Sequence, residues 1–220
     1  MKPFNTVLLS TAYLPPIQYF TKLFAYDQVF IEQHESYSKQ SYRNRCMILG
    51  ANGPLTISIP IKKISGTKMP IREVEIDYDT PWQKIHWKAI ESAYNCSPFF
   101  IYYKDDLKGF YHNRIRYLFD FNCGLIQIIS SLIEINPDIH FTEKFDINPA
   151  NSHDFRNTIH PKPRMNRYDN DFTPVRYYQV FKEKTGFVPG LSIIDLLFNE
   201  GNQTIHILES CIKKEGSLSD

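Results

Sequence analysis

The sequence predicts an α/β fold: a mixed sheet with an N-terminal βαβ unit and a β-hairpin, followed by a mainly helical C-terminal half. Three observations predict it. Residues 6–10 (TVLLS) and 28–33 (QVFIEQ) are short apolar runs on either side of one amphipathic segment, the spacing of two parallel strands joined by a crossover helix. Asn52-Gly53 stands between two strand-like runs and marks a hairpin. Beyond residue 80 the apolar residues recur mainly at helical spacing.

Each element has its own local reason. Pro15-Pro16 opens IQYFTKLFAYD, in which Ile17, Phe20, Leu23 and Phe24 share a helical face. Residues 45–49 and 55–61 flank the turn GANGP, and Pro60 marks a strand end or a sheet edge. KKISGTKMP (62–70) is a loop with three lysines, and REVEIDY (72–78) alternates as a further strand. That makes about five strands from the N-terminal third. Thr80-Pro81 opens a helix running to about Tyr94, followed by a short aromatic helix over 98–111 and a long one over 114–135. Residues 138–172 are polar and proline-bearing, which predicts a long loop with one strand, IHFTEKFDI. Thr173-Pro174 predicts a helix ending at Gly186. Ser192 and Asp195 form an S-x-x-D cap for IIDLLFNE, stopped by Gly201, and a last helix begins near Asn202. Together these make one domain over 1–220, with a sheet-rich part (1–80) and a mainly helical part (81–220) that holds the long loop.

Apolar residues make up 42% of the chain and charged residues 22%, enough for a packed core. The net charge of +1 argues against a nucleic-acid partner but leaves room for a local cluster that holds one small anion. Aromatics reach 15%, and tyrosine suits half-buried walls where a ring packs and a hydroxyl stays wet. Cysteines 46, 96, 123 and 211 form no C-x-x-C pair, which predicts reduced thiols. His112, His140, His153 and His160 are too dispersed to argue a metal site. The N-terminal apolar run of about five residues is too short for a signal peptide. Residues 117–135 carry Asp120, Asn122, Gln127 and Glu134, so no membrane span is predicted and the expected location is the cytoplasm.

The stretch YSKQSYRNR (37–45) follows the second strand, at the carboxyl edge where open α/β sheets collect ligands. In an extended segment Lys39, Ser41, Arg43 and Arg45 share one face. Arginine can grip a phosphate through two parallel N–H bonds. This predicts a phosphate-binding set of Lys39, Ser41, Arg43 and Arg45, with Tyr37 and Tyr42 beside it. The same segment also reads as a polar edge strand whose basic side chains prevent edge pairing. As an exposed charge, Arg43 is expected to add little stability. There is no glycine-rich phosphate loop, so a nucleotide would be held by side chains and helix N-termini, and no cofactor is assigned. Trp82 and His86 form a stripe on the helix that starts near Pro81. His86 is a candidate general base, with a packing histidine as the alternative. His34 is a second candidate, on the same strand face as Glu32. Tyr13 and Trp82 would form an aromatic wall. Cys46 follows Arg43 and Arg45 and reads as a structural thiol.

YLPPIQYFTKL (13–23), YSKQSYRNR (37–45), ANGPLTISIPI, the W-x3-H-x3-I-x2-AY pattern from Trp82 to Tyr94, and GFVPGLSIIDLLFNEG (186–201) occur in order along nearly the whole chain. Together they resemble the WbqC-like protein family. Many members carry His-Gln-Pro just before the first YLP, where this chain has Ser10-Thr11-Ala12. The family is bacterial and takes its name from a member encoded among lipopolysaccharide O-antigen genes. The resemblance implies a role near surface-polysaccharide or nucleotide-sugar metabolism and supplies no catalytic residues. The expected activity is a transferase that handles a nucleotide-activated sugar or an acyl or aminoacyl donor. The alternative is a non-enzymatic binding or scaffold protein of a polysaccharide assembly system. The expected partner is a small phosphate-bearing ligand, and a homodimer stays open.

Overall fold

The computed structural model describes residues 5–63, 68–147, 149, 151–162 and 169–213. Strand β1 (Thr6–Ser10), helix α1 (Ile17–Ala25) and strand β2 (Gln28–Glu32) form the expected parallel unit, with Thr6 opposite Gln28 and Ser10 opposite Glu32. Val7, Leu9, Val29 and Ile31 are buried on one sheet face, because side chains alternate along a strand. Strands β3 (Arg45–Gly50) and β4 (Gly53–Ser58) form the hairpin. Gly50 pairs with Gly53, so Ala51 and Asn52 make the two-residue turn and Gly53 supplies the φ of 109° that follows it.

Three segments depart from the expected elements: REVEIDY, residues 138–172 and residues 173–181. REVEIDY does not join a ladder: Ile71–Glu73 is a 3-10 turn, and Glu75 and Ile76 each make an isolated bridge, to Tyr117 and Ile61. The alternation was real, since Val74 and Ile76 are buried, but the backbone bonds go to two different neighbours. The Ile76 amide donates to the Arg116 carbonyl (2.9 Å) and the Asp77 amide to the Pro60 carbonyl (3.0 Å). Residues 64–67 of the lysine loop lie outside the described residues.

Helices α2 (Trp82–Tyr94), α3 (Phe100–Lys108) and α4 (Leu118–Leu132) follow. Leu118, Phe121, Leu125 and Ile129 of α4 repeat at helical spacing and are buried, and the Phe121 ring packs against the rings of Tyr13, Trp82, Phe110 and Tyr111. The parallel sheet is then completed from far along the chain. Strand β5 (Ile139–Phe141) pairs with β2 and β6 (His153–Asp154) with β1, both parallel, in the order β5-β2-β1-β6. The described residues of 138–172, read as a loop with one strand, therefore contribute two short strands; residues 148, 150 and 163–168 of that loop lie outside the described residues. Parallel and antiparallel pairs both occur, divided between this four-stranded sheet and the separate hairpin.

Residues 173–181 are not helical, and the short α5 covers only Lys182–Thr185. The sequence holds the reason. Val175, Tyr177 and Gln179 face inward while Arg176 and Tyr178 face out, a period of two rather than 3.6. Gln179 secures the strap by two bonds to the Val188 backbone, each 2.9 Å. Helix α6 (Ile193–Glu200) and helix α7 (Thr204–Ser210) close the fold. Gly201 ends α6 with φ 54°, and a Cβ there would lie 2.5 Å from the Phe99 ring. The four cysteines are unbridged, and among the described residues no helix is long and apolar enough to cross a membrane.

Ser192 caps α6 as the S-x-x-D pattern implies, though its hydroxyl accepts from the Ile194 amide at a long 3.5 Å. Asp195 does more than complete a cap. It is 1% exposed, and Tyr177 donates to its Oδ2 at 2.7 Å. Burial pushes its carboxyl up to about 6, against the hydrogen bond from Tyr177. A carboxyl that holds its proton more tightly when folded costs stability as pH rises from about 4 to about 6. With a shift of roughly two units, the cost approaches about 3 kcal/mol. Urea melts between pH 4 and pH 7 should show this downward slope in the native chain, and Asp195→Asn should flatten it.

Candidate functional site

Four parallel strands end on one edge, and β1 has β2 on one side and β6 on the other. The chain order reverses across β1, and crevices of that kind collect ligands in open α/β sheets. Each strand brings a polar residue there. Ser10 closes β1, Glu32 closes β2, Asp154 closes β6, and Thr142 follows β5. The loop after β2 adds Glu35 and Arg43, and the chain after β6 adds Arg156.

These groups form one buried network. Arg43 grips the Glu35 carboxylate with Nε at 2.8 Å and with Nη2, which also lies 2.8 Å from Ser10 Oγ. Arg156 reaches Glu32 Oε2 through Nη1 (3.1 Å) and Asp154 through Nε (3.0 Å) and Nη2 (2.7 Å). Glu32 Oε1 accepts from Thr142 Oγ1 (2.8 Å) and from the His34 amide (2.7 Å). Ser10 Oγ lies 3.3 Å from the Arg156 carbonyl and so touches both ion pairs. Glu32, Glu35, Arg43 and Arg156 are all at most 7% exposed. Burial alone would pull the Arg156 guanidinium down, but Asp154, Glu32 and Glu35 together hold it above its ordinary value. The space left between Ser10, Thr11, Tyr42, Arg43 and Arg156 is about 10 Å³, room for a single water. The network therefore sets positions, and a larger ligand would contact its rim.

Residues 37–44 run through turns, with Gln40 at φ 59°, so the shared face of an extended segment does not form. Lys39 is exposed on a turn. Ser41 is buried, and its hydroxyl donates to the Ser38 carbonyl at 2.7 Å. Arg43 points inward to Glu35 and is not the exposed charge that its polar neighbours imply. Arg45 opens β3 opposite Ser58, and its Nε is buried with no hydrogen-bond partner among the described residues. Tyr37 and Tyr42 are half-buried. Burial raises the Tyr37 hydroxyl against the opposing charges of Arg45 and Arg43, and burial pushes Tyr42 up to about 12. His34 Nε2 lies 3.0 Å from the Thr142 carbonyl, which ties its ring to the end of β5. Cys46 is 1% exposed, and burial holds its thiol well above the usual range, so it is inert at neutral pH.

His160 joins this rim from a distant segment. Burial first, then the positive charges of Arg43, Lys162 and Arg45, push its imidazole down. The Lys162 amide donates to its Nδ1 at 3.0 Å, which leaves Nε2 to carry the proton and donate. Sequence reading missed Ser10, Glu35, Arg156 and His160 as members of the edge. A signal existed for Ser10, which ends a legible strand. None existed for Arg156 or His160, because the pairing of β6 with β1 is non-local.

His86, Tyr13 and Trp82 lie elsewhere, in the aromatic core. Tyr13 Oη is 2.9 Å from His86 Nδ1 and 2.9 Å from Tyr111 Oη, and the Trp82 ring meets the His86 ring edge-on. The Tyr13 amide bonds to the Tyr42 carbonyl (2.8 Å), but its ring turns away from the sheet edge into the core. Burial pulls His86 down to about 4, against a backbone bond to Ser58. No group of His, Cys, Asp and Glu residues capable of holding a metal occurs among the described residues.

The profile of the WbqC-like protein family matches residues 11–170 and 164–207. The chain belongs to the WbqC-like protein family. It is also similar to Uncharacterized protein Rv1507c of Mycobacterium tuberculosis, at 26% identity over 94% of this chain and 98% of that protein. No solved structure matches the chain with significance. The family match takes in Glu32, Glu35, Arg43, Asp154 and Arg156 of the network and begins just after Ser10.

Two outcomes follow from this geometry. Arg43→Ala strands Glu35 in a dry site and should cost about 3–5 kcal/mol in denaturant melts, whereas an exposed arginine would cost almost nothing. A double-mutant cycle with Glu35→Gln should show strong coupling between the two side chains. In an NMR titration, His86 should stay neutral down to about pH 4, so its folding contribution is lost as pH falls from about 6.5 to about 4. A midpoint near 6.5 would place that ring in solvent.

Proposed function

We propose that this WbqC-like protein is a transferase that holds the phosphate of an activated donor on the basic rim of the carboxyl edge. The donor class is a nucleotide-activated sugar or an acyl or aminoacyl carrier, in bacterial surface-polysaccharide metabolism. One observation carries the reading: Arg45 has a buried Nε without a partner among the described residues, and its charge, with that of Lys162, acts on the imidazole of His160 at the rim. A buried guanidinium N–H without an acceptor is costly, and a phosphate oxygen would satisfy it. His160 Nε2–H and the Tyr37 hydroxyl would add donors, and Lys39 would screen charge from the outer turn. The ion pairs of Arg43 and Arg156 beneath the rim hold these groups still, so no reorganisation is needed as charge develops on the leaving phosphate.

The test is a thermal-shift screen with nucleotide sugars, nucleoside diphosphates and acyl-coenzyme A compounds, followed by calorimetric titration of the best binder. Arg45→Ala should leave the melting temperature nearly unchanged and weaken binding by about 1.5–3 kcal/mol, more at low salt than at high salt. Absence of any stabilising phosphate compound, or equal affinity in Arg45→Ala, would overturn the assignment.

A further inference from the structure

A second, larger concavity lies between α4 and the neighbouring strands β2 and β5, an open groove of about 800 Å³. That volume falls within the range of small-ligand sites. Its floor is apolar: Ile31 from β2, Ile126 from α4, and Ile139 and Phe141 from β5. Phe141 keeps 46% of its surface exposed there. The rim is polar, with Gln127 and Ser131 on α4, Glu134 just after it, and Asn136 and Asp138 on the approach to β5. All five rim residues are exposed. Glu134 takes a left-handed φ of 63°, a helix-end position that most often carries glycine.

The chemistry of the lining is selective. Among the described lining residues there is no lysine or arginine, and the carboxylates of Glu134 and Asp138 are the full charges. One Asp138 oxygen faces His140 Nε2 at 2.9 Å, and the other oxygen stays open. An anion is therefore disfavoured, in contrast to the basic rim at the sheet edge. Carboxylates accept hydrogen bonds and do not donate, so the occupant must bring donors. An apolar floor beneath acceptors fits a ring with C–H faces and hydroxyl or amine edges. Ser130 gives an independent sign of a ligand. It lines the groove at 4% exposure, and its Oγ is buried without a hydrogen-bond partner. Buried hydroxyls are nearly always paired, and this one, on a residue that lines the groove, has no partner among the described residues. Cys123, also in the lining, is no nucleophile, because burial pushes its thiol up to about 12.

We propose that this groove is a second ligand site, which takes a polyhydroxylated ring without anionic groups, a neutral or amino sugar in chemical class. The inference stands on the groove alone and does not need the phosphate site. It is tested by saturation-transfer NMR on the full chain at pH 7 with methyl glucoside, N-acetylglucosamine, glucosamine and glucuronate. Transfer to the neutral or amino sugars and not to glucuronate is expected. Gln127→Trp, on an exposed helix position, should fill the groove and abolish the signal. Arg45→Ala should retain it. Ser130→Ala should weaken binding about five-fold with an unchanged or higher melting temperature, since the free fold gives that hydroxyl no partner. No transfer from any neutral or amino sugar, a preference for glucuronate, persistence in Gln127→Trp, or loss in Arg45→Ala would overturn the proposal.

Discussion

A guanidinium or carboxylate in a dry site needs a partner of opposite charge, and the carboxyl edge of this sheet is organised by that need. Arg43 has Glu35, and Arg156 has Glu32 and Asp154. The pairs draw together the end of β1, the whole loop between β2 and β3, and the segment after β6. Arg156 adds its ion pairs to the two-residue pairing of β6 with β1, to the Phe155 amide bond to the Leu8 carbonyl (2.9 Å) and to the Tyr26–His153 bond (2.6 Å) that dock this distant stretch. Replacement by apolar residues of similar size could match the stability of such pairs, so their value lies in fixing one arrangement of three chain segments.

The high aromatic content serves the interior first. Buried tyrosines carry a ring into the core and a hydroxyl to a specific distant partner. Tyr13 reaches His86 and Tyr111, Tyr19 reaches the Ser10 carbonyl, and Tyr177 reaches Asp195. The Tyr19 bond matters for the site, because it holds the strand end that carries Ser10. The same logic explains the depressed His86. A neutral imidazole can accept from Tyr13 and donate to the Ser58 carbonyl, while a charged one would have to carry its charge into the core.

A net charge of +1 conceals two local surfaces of opposite character. Arg45 and Lys162 act on His160 at the sheet edge, and Glu134 and Asp138 border the groove by α4. The two carboxylates disfavour an anion in the groove, while the cations at the sheet edge do not.

The sequence by itself determined the elements whose signal is local. The βαβ unit, the hairpin, α2, α4 and α6 were legible because apolar period, proline starts and glycine stops act within a few residues. In the stretch after β2 the sequence suggested a shared basic face, but turns replace the extended backbone and divide Lys39, Ser41, Arg43 and Arg45 among different surroundings. Tertiary structure decided the rest. REVEIDY alternates as a strand does, but its neighbours on either side differ, so no ladder forms. Residues 173–181 open with a proline that suits a helix, yet burial of Val175, Tyr177 and Gln179 draws them straight. Arg43 looks exposed among polar neighbours and becomes buried, because Glu35 meets it only once the intervening turn has folded. Arg156 and His160 reach the site through a strand pairing that spans more than a hundred residues. A contact of that kind depends on where the whole chain has gone, and no window of local sequence records it.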